Sequence, residues 1–348
     1  MTAPPWAEAF ALQAEACRAL GSGLTARICE AASRVAATDR GAVAQRIRSW
    51  PGDPSYHGDS LPLRLCGALQ GLALADRIAP LASADADDRL DDAIFMSFHD
   101  HEAWILEWIE QAPQTNEIGR SAVLAAGAWF LAEQSAATFD LLELGASAGL
   151  NLNFPLYQYE IYDTNEDTSC NGLHPILNPD WRGRPPRRHD FAIGHARGVD
   201  LNPLDPQRDG LRLMAYIWPD QPERLARMRA ALDLARNHPP QVDQGDAAPW
   251  LEARLAQPCA HGRLVYHTVA AQYFPAETRN RIEAALQSAG RRADADHPLA
   301  HLSMEADGAP GMALHLRLWD GETRAREWDL GRAHPHGQWI DWQPREIG

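Results

Sequence analysis

The chain has 348 residues, of which 45% are hydrophobic and 23% are charged, a composition typical of a globular protein. Its formal net charge of −15 disfavours a broad nucleic-acid-binding face and attraction to an anionic membrane surface. The sequence contains no lysine, which excludes Schiff-base and pyridoxal-phosphate enzymes, Walker-type phosphate loops, protein kinases and S-x-x-K acylases.

No segment of the sequence is typical of export or of membrane insertion. No apolar run approaches the roughly 18 residues that span a bilayer, and the first residues lack a basic region followed by an apolar stretch. The cysteines are scattered without a C-x-x-C motif, which indicates reduced thiols; they are Cys17, Cys29, Cys66, Cys170 and Cys259. We therefore expect a cytoplasmic protein that does not contact a membrane.

In chain order, residues 1–135 are predicted to form a helical N-terminal region. Apolar residues recur there at helical spacing, and the breaks fall at stretches rich in Gly, Pro or Asp. The last predicted helix of the region covers 121–132, and Thr115 or Asn116 would cap it.

From residue 136 to 348 the pattern changes to strands that alternate with helices, which is typical of a parallel α/β sheet. Strands are predicted over 139–144, 191–199, 241–246, 263–269, 299–304, 312–319 and 323–330, the last two joined by a hairpin turn at Asp320-Gly321. This layout resembles the Rossmann-like domain of class I methyltransferases, with seven strands and a C-terminal antiparallel hairpin. Residues of about 157–190 are interpreted as an insertion that forms a lid over the active site.

The most informative segment is the turn after the first predicted strand, where a helix is predicted to begin at Gly149. Glu143, Gly145 and Gly149 fit the pattern E-x-G-x-x-x-G, the nucleotide-binding turn of class I S-adenosylmethionine (SAM) methyltransferases. Small residues in such a turn let the backbone approach a ligand. The predicted cofactor contacts in this segment are Glu143, Gly145, Ala146, Ser147, Gly149 and Asn151. The same residues also fit G-x-S-x-G, the nucleophile elbow of α/β-hydrolases, with Ser147 as the nucleophile.

Polar residues also follow the next predicted strands. Ligands of open α/β sheets bind beyond the carboxyl ends of the strands, so these residues are expected to face one site. Asp200 would accept hydrogen bonds from the ribose hydroxyls of SAM, although Asp163 lies closer to the usual spacing of about 20 residues. Asp246 would accept a hydrogen bond from the adenine amino group, with Ala247 beside it. His267, at the end of the fourth strand, is the candidate catalytic base because histidine titrates near neutrality.

Five segments together resemble a bacterial family known as domain of unknown function 2332. They are QTNEIGR (114–120), ELGASAGLNLN (143–153), DLNPLD (200–205), AYIWPDQ (215–221) and YHTV (266–269). The resemblance extends over nearly the whole chain and implies no particular substrate. It favours a substrate pocket that includes Glu117 and Arg120, to which we add Asp220 and Tyr273. Glu117 and Arg120 lie about one helical turn apart, so a simple surface pair is the alternative.

The predicted function is SAM-dependent methylation of a small molecule or of a protein side chain. One alternative is a serine hydrolase in which Ser147, Asp246 and His267 form a triad in that chain order. Another is a protein that binds SAM or a nucleotide without catalysis. A third is a sheet whose glycine turn and strand-end acids merely cap helices. The sequence does not identify the substrate, the methylated atom or the oligomeric state.

Two further features of the sequence bear on ligand binding. The histidine pairs at 99/101 and 334/336 lack the spacing of a metal-ligand framework, so no metal site is predicted. The arginine-rich loop 181–188 would either receive a carboxylate or phosphate group of a substrate or remain a solvated loop.

Overall fold

The computed structural model describes residues 4–84, 86–135, 138–161 and 174–348. The chain forms two compact units, a helical unit of residues up to Thr115 with Arg208–Ala226, and an α/β unit of Asn116–Gln207 with Arg227–Gly348. The predicted boundary at 135/136 marks the start of the strands, whereas the compact units divide between Thr115 and Asn116. Along the described parts of the chain, every helix is too short or too polar to cross a membrane.

The described residues form both helices and strands, in the following order. The helices are α1 (Pro5–Ala19), α2 (Gly23–Thr38), α3 (Ala42–Arg48), α4 (Leu61–Leu74), α5 (Asp87–Asp100), α6 (Glu102–Ile109), α7 (Ser121–Gln134), α8 (Gly210–Ala215), α9 (Pro222–Asn237), α10 (Ala247–Ala256) and α11 (Ala276–Gly290). The strands are β1 (Phe139–Leu144), β2 (Gln158–Tyr159), β3 (Ile176–Leu177), β4 (Asp180–Arg182), β5 (Ile193–Asp200), β6 (Val242–Gln244), β7 (Gly262–Thr268), β8 (Leu299–Glu305), β9 (Met312–Trp319), β10 (Arg326–Ala333) and β11 (Trp339–Glu346).

The helical unit packs the apolar faces of its helices into one core. Phe10, Leu65 and Phe98, from α1, α4 and α5, are among the fully buried side chains of this core. Two cysteines that are distant in sequence also meet there, because the Sγ atoms of Cys29 and Cys66 lie 3.6 Å apart.

Asp220 belongs to the helical unit, where it caps the start of α2. Its Oδ1 accepts a hydrogen bond from Ser22 Oγ at 2.6 Å, and its Oδ2 accepts one from the Leu24 backbone N–H at 3.1 Å. The first N–H groups of a helix lack partners within the helix, so a carboxylate at this position stabilises the helix start. A structural role therefore accounts for Asp220, which the sequence placed in the substrate pocket.

The α/β unit contains one large sheet with the strand order β4-β11-β10-β9-β8-β7-β1-β5-β6. The strands β6, β5, β1, β7 and β8 are parallel, whereas β8, β9, β10 and β11 form an antiparallel meander. The predicted α/β class is confirmed. The predicted number of seven strands is wrong, because the described sheet has nine. The strands not predicted are β4, which is three residues long, and β11, which contains Pro344.

The described parts of the predicted insertion 157–190 contain three short strands. The pair β2 and β3 forms a small parallel sheet of its own. The third strand, β4, pairs with β11 at the edge of the large sheet. Asp163, the alternative candidate for the ribose acid, lies outside the described residues.

The segment after β1 differs from its prediction. A helix was expected to begin at Gly149, but the chain forms a short 3-10 helix over Leu150–Leu156. Pro155 lies inside it, and proline has no N–H to continue a regular α-helical ladder.

Candidate functional site

The Gly145–Gly149 turn leaves the carboxyl end of β1 in an unusual backbone conformation. Gly145, Ser147 and Gly149 have φ angles of +72°, +54° and +71°. A Cβ atom at Gly145 would lie 2.8 Å from the Ala270 Cβ, and one at Gly149 would lie 2.6 Å from Val242 Cγ2. Both positions therefore require glycine for conformation and for space, which explains the glycines of the sequence pattern.

Two buried polar atoms at this turn have no hydrogen-bond partner within the described residues. They are Glu143 Oε2, on β1 directly before the turn, and Ser147 Oγ, in the middle of it. Glu143 is 2% exposed and Ser147 is 6% exposed. Because buried polar atoms in folded proteins are nearly always hydrogen-bonded, each such atom needs an explanation.

Glu143 is a carboxyl group in an apolar and partly acidic environment. Burial raises its pKa well above the ordinary value of 4.5, and the nearby negative charge of Asp200 adds to this shift. A hydrogen bond from Tyr266 and the charge of Arg120 act in the opposite direction but are smaller. The pKa of Tyr266 is itself raised by burial and by the neighbouring Glu143. The carboxyl group of Glu143, directly before the turn, therefore favours its neutral form.

Asp200 holds the turn from the neighbouring strand β5. Its Oδ2 accepts a hydrogen bond from the Ser147 backbone N–H at 2.8 Å, and its Oδ1 accepts one from the Asn202 N–H at 2.9 Å. A carboxylate oxygen has two lone pairs, so each oxygen keeps one acceptor position for a ligand hydroxyl. The predicted ribose acid is thus in direct contact with the glycine turn.

A buried polar network supports the 3-10 helix that follows the turn. Asn151 Oδ1 accepts a hydrogen bond from Ser121 Oγ at 2.8 Å, and Asn151 Nδ2 donates one to the Glu117 carbonyl at 3.3 Å. Asn116 Oδ1 accepts from the Leu150 N–H at 2.9 Å. Asn151 is 2% exposed, so its predicted contact with cofactor would compete with these structural bonds.

Glu117 and Arg120 lie beside this network and are not a simple surface pair. Glu117 is 6% exposed and its Oε1 accepts a hydrogen bond from the Gly119 N–H at 3.0 Å. Arg120 donates to the carbonyls of Pro335 and Thr268 at 2.8 and 2.9 Å, the second of which lies at the carboxyl end of β7. Both side chains therefore hold backbone segments near the strand ends.

Asp246 and Ala247 lie at the start of α10, after β6. Asp246 Oδ1 accepts a hydrogen bond from the Ala248 N–H at 2.8 Å, and its Oδ2 lies 3.4 Å from Thr278 Oγ1. Ala247, the first residue of α10, is buried in the core that this helix shares with the sheet. The capping interpretation explains these two residues as well as the adenine-binding interpretation does.

His267 lies on the opposite face of the sheet from Glu143. The strand register pairs Glu143 with Tyr266, and successive side chains of a strand point to opposite faces. Both ring nitrogens of His267 have partners, since Nδ1 is 2.7 Å from Glu305 Oε1 and Nε2 is 3.1 Å from His301 Nε2. The structure thus brings together Glu143, the turn and Asp200, but places the candidate base across the sheet from Glu143.

Sequence reasoning missed Glu305. It placed Tyr266 at the end of the fourth strand without a role of its own, and it named Tyr273 for the pocket without a position. Tyr266 is fully buried beside Glu143, and its place one residue before His267 was the available signal. Glu305 is the last residue of β8, a strand-end acid of the kind sought on the other strands. Tyr273 is 78% exposed in the loop after β7, where its ring is accessible to a ligand.

A family profile described as "uncharacterized protein conserved in bacteria (DUF2332)" matches residues 7–342. The chain belongs to this family. The match confirms the resemblance seen in the five sequence segments and extends across both compact units. No curated protein matches the chain.

A separate cavity of this DUF2332 member lies in the α/β unit, with a volume of about 1320 Å³. Its lining includes Arg184 and Arg187 of the arginine-rich loop, together with the acids Asp307, Asp329 and Asp341. Arg332 and Arg345 on the cavity wall pair with Asp307 and Asp329. Cationic and acidic groups are mixed on this wall, so its charge does not select an anionic substrate.

Proposed function

We propose that the protein binds SAM at the Gly145–Gly149 turn and transfers its methyl group to a small molecule or a protein side chain. The observation that carries this proposal is the pair of orphaned polar atoms, Glu143 Oε2 and Ser147 Oγ, at a turn with three residues of positive φ. A ligand that supplies the missing hydrogen bonds would account for both atoms.

The order of the parallel strands supports a ligand at this turn. Numbered along the chain, β1, β5, β6, β7 and β8 occur in the spatial order 3-2-1-4-5. Doubly wound sheets with this order bind ligands outside the carboxyl ends of the strands, where the order reverses. That position lies between β1 and β7, and the Gly145–Gly149 turn leaves β1 there.

The residues around the turn fit a ligand with an amino acid part and a ribose. The glycines let the backbone approach the methionine part closely. Asp200 has free acceptor positions for ribose hydroxyls, and the neutral carboxyl of Glu143 would donate to or accept from a polar group of the ligand. Bound SAM would supply an electrophilic methyl group, and the protein would contribute alignment and the exclusion of water.

The identity of the base stays a prediction. For His267 to take a proton from a substrate, a hydrogen bond to Glu305 or His301 would first have to open. A nucleophile that is already deprotonated, such as a thiolate or carboxylate, would need no base. This consideration favours substrates of that class.

The serine-hydrolase alternative has one observation in its favour, the positive φ of Ser147, which resembles the strained turn of a nucleophile elbow. A serine nucleophile also needs a histidine within hydrogen-bond reach. In the described chain, Ser147 Oγ has no such partner, and Asp246 and His267 bond to other groups. The geometry therefore supports this alternative less well than SAM binding.

Isothermal titration calorimetry with SAM and S-adenosylhomocysteine tests the proposal. We expect the wild type to bind both ligands, and Asp200→Asn to weaken binding about tenfold or more, as the loss of charge-assisted hydrogen bonds predicts. Asp140→Asn is the matched control, because it removes a carboxylate from the other end of β1 and should leave the affinity unchanged.

The outcomes separate the alternatives. A folded wild type that binds neither ligand would reject the proposal, and labelling of Ser147 by a fluorophosphonate would then favour the hydrolase. Unchanged affinity in Asp200→Asn would exclude this residue as the ribose acid and make Asp163 the next candidate. Binding without methyl transfer to any offered nucleophile would favour the non-catalytic alternative.

A further inference from the structure

A chain of hydrogen-bonded polar side chains crosses the sheet face that carries His267. Glu305 Oε1 lies 2.7 Å from His267 Nδ1, and His267 Nε2 lies 3.1 Å from His301 Nε2. His301 Nδ1 lies 2.9 Å from Arg317 Nη2. Arg317 in turn makes a bidentate pair with Glu283 of α11, at 2.6 and 2.7 Å. This hydrogen-bonded chain, from Glu305 to Glu283, therefore links the carboxyl end of β8 to α11.

The donors and acceptors in this chain determine where the protons lie. Arginine can only donate, so His301 Nδ1 accepts from Arg317, and the proton of a neutral His301 lies on Nε2. That Nε2–H donates to His267 Nε2, so His267 carries its own proton on Nδ1 and donates it to Glu305. The two facing Nε2 atoms share a single proton. A second proton would place two N–H donors against each other and break the bond.

Glu305 also fixes the loop that follows β7. Its Oε1 accepts hydrogen bonds from the backbone N–H groups of Ala270 and Ala271 at 2.9 and 3.2 Å. Burial would raise the pKa of Glu305, but the bonds from His267 and from these two amides outweigh burial and lower it. The acceptor is thus the ionised carboxylate, which forms stronger hydrogen bonds than a neutral group.

The loop needs such support because it begins with strained backbone. Val269 has a φ of +52°, a conformation that is costly for a β-branched residue and persists only when its surroundings impose it. The next residue, Ala270, packs against Gly145 at the start of the Gly145–Gly149 turn. A change in this loop would therefore reach the Gly145–Gly149 turn directly.

We infer that Glu305 is the positioning residue of the loop Val269–Tyr273, and that the imidazole pair behind it makes this positioning depend on pH. At neutral pH, His267 and His301 share one proton, and the chain holds Glu305 in place. When the pair takes up one further proton in acid, two N–H donors face each other and the bond between the rings opens. His267 then loses the partner that orients its ring, Glu305 loses its fixed orientation, and the strained loop relaxes. The consequence for SAM affinity rests on the proposed function, whereas the pH-dependent positioning of the loop, here called the loop device, does not.

The groups that face the pair set the pH at which the bond opens. Burial and the neighbouring His267, Arg317 and His315 lower the pKa of His301 well below its usual range. The carboxylates at the two ends of the hydrogen-bonded chain are both paired, Glu283 with Arg317 and Glu305 with His267. A cavity of about 310 Å³ lined by Glu283, His301, His315 and Arg317 gives protons access to the pair. We therefore expect the transition at acid pH, below the ordinary histidine value of about 6.5.

Hydrogen exchange of the Ala270 and Ala271 amides tests the inference without any ligand. In the wild type, exchange corrected for the intrinsic pH effect should show protected amides at neutral pH. Protection should fall by about tenfold per pH unit below the transition if the open state takes up one extra proton. Nitrogen-15 shifts of the histidine rings should show the Nδ1–H tautomer of His267 and the Nε2–H tautomer of His301 at neutral pH, and report loss of both in the same range.

Two variants make the test specific. His301→Gln retains an N–H donor at the same place but cannot gain a proton, so its loop amides should stay protected at both pH values. His315→Gln is the matched control, because it removes a histidine of the same cavity that is not in the chain; its protection should fall as in the wild type, with the midpoint displaced at most slightly upward. The inference is overturned if wild-type protection does not change with pH, or if His301→Gln loses protection as the wild type does.

A calorimetric titration with S-adenosylhomocysteine separates this inference from the proposed function. If both hold, wild-type affinity falls in the same pH range as amide protection, and His301→Gln binds equally at both pH values. If amide protection follows pH as expected but no binding is seen at any pH, the proposed function fails and the loop device stands. If binding occurs and protection is independent of pH, the device fails and the proposed function stands.

Discussion

Replacement of Glu143 by glutamine tests whether this residue is a neutral acid in the folded protein. In the unfolded chain its carboxyl ionises above its ordinary pKa of 4.5, whereas burial raises the pKa of the folded state well above this value. Between the two pKa values, unfolding releases a proton, so the free energy of unfolding falls as pH rises. Glutamine has the same shape and does not titrate. Glu143→Gln should therefore remove this part of the pH dependence.

The size of the effect follows from linkage. Relative to Glu143→Gln, the wild type should lose about 1.4 kcal/mol of unfolding free energy per pH unit, over the range in which Glu143 stays protonated in the folded state. The stability contributed by the raised pKa is fully present below about pH 4.5 and is lost as pH approaches the folded-state pKa. A constant offset between the two proteins, from the extra N–H donors of glutamine, does not affect this slope.

Urea unfolding at several pH values between about 5 and 8 measures the slope. Asp140→Asn is the control, because it lies at the other end of β1 and has the opposite shift. Burial would raise the pKa of Asp140, but the bonds from Cys259, His261 and the His195 amide outweigh burial and lower it. Its stabilising effect should be constant over this range and vanish in strong acid. Parallel stability curves for wild type and Glu143→Gln would refute the reasoning for Glu143.

Three further predictions concern stability and are measured by chemical or thermal unfolding. Hydrogen bonds from Arg197, Trp250 and Arg254 lower the pKa of Asp243 despite its burial, so its carboxylate stabilises β6 above about pH 4. Asp243→Asn should therefore lower the free energy of unfolding by about 1–2 kcal/mol at neutral pH and leave it unchanged in strong acid. An equal loss at both pH values would contradict this reasoning. Asp220→Ala should cost about 1 kcal/mol as a lost helix cap, and an unchanged midpoint would show that the cap is unimportant. Gly67→Ala should destabilise the protein by about 1 kcal/mol or more, because the new Cβ would lie 2.5 Å from the Tyr216 ring. Gly23→Ala is the control and should be neutral or slightly stabilising, because its Cβ would meet no atom within 4 Å. The reverse order of stabilities would contradict the packing described.

The sequence located the elements of the α/β unit well where local patterns determine them. Buried apolar runs predicted β1, β7 and β8 within one residue, and the glycines marked the turn because positive φ angles leave few other choices. The short or proline-containing strands β4 and β11 were missed because their pairing in the sheet, not their own sequence, makes them strands.

The site was harder to predict because it depends on which residues meet across strands. Strand ends placed His267 and Glu143 at the same edge, but only the register shows that they occupy opposite faces. The chain from Glu305 to Glu283 joins residues of β8, β7, β9 and α11, and no local pattern marks it. Asp246 and Asp220 illustrate a second difficulty, since acids that cap helices and acids that bind ligands look alike in sequence.

A crystal structure with S-adenosylhomocysteine tests the central claim, that the Gly145–Gly149 turn is a SAM site, most directly. We predict density for the ligand at the carboxyl ends of β1 and β5, with its ribose hydroxyls within hydrogen-bond distance of Asp200 and a polar group filling the missing contact of Glu143 or Ser147. Ligand density at another place, for example in the cavity beside Arg184 and Asp329, with the turn left empty, would contradict the account.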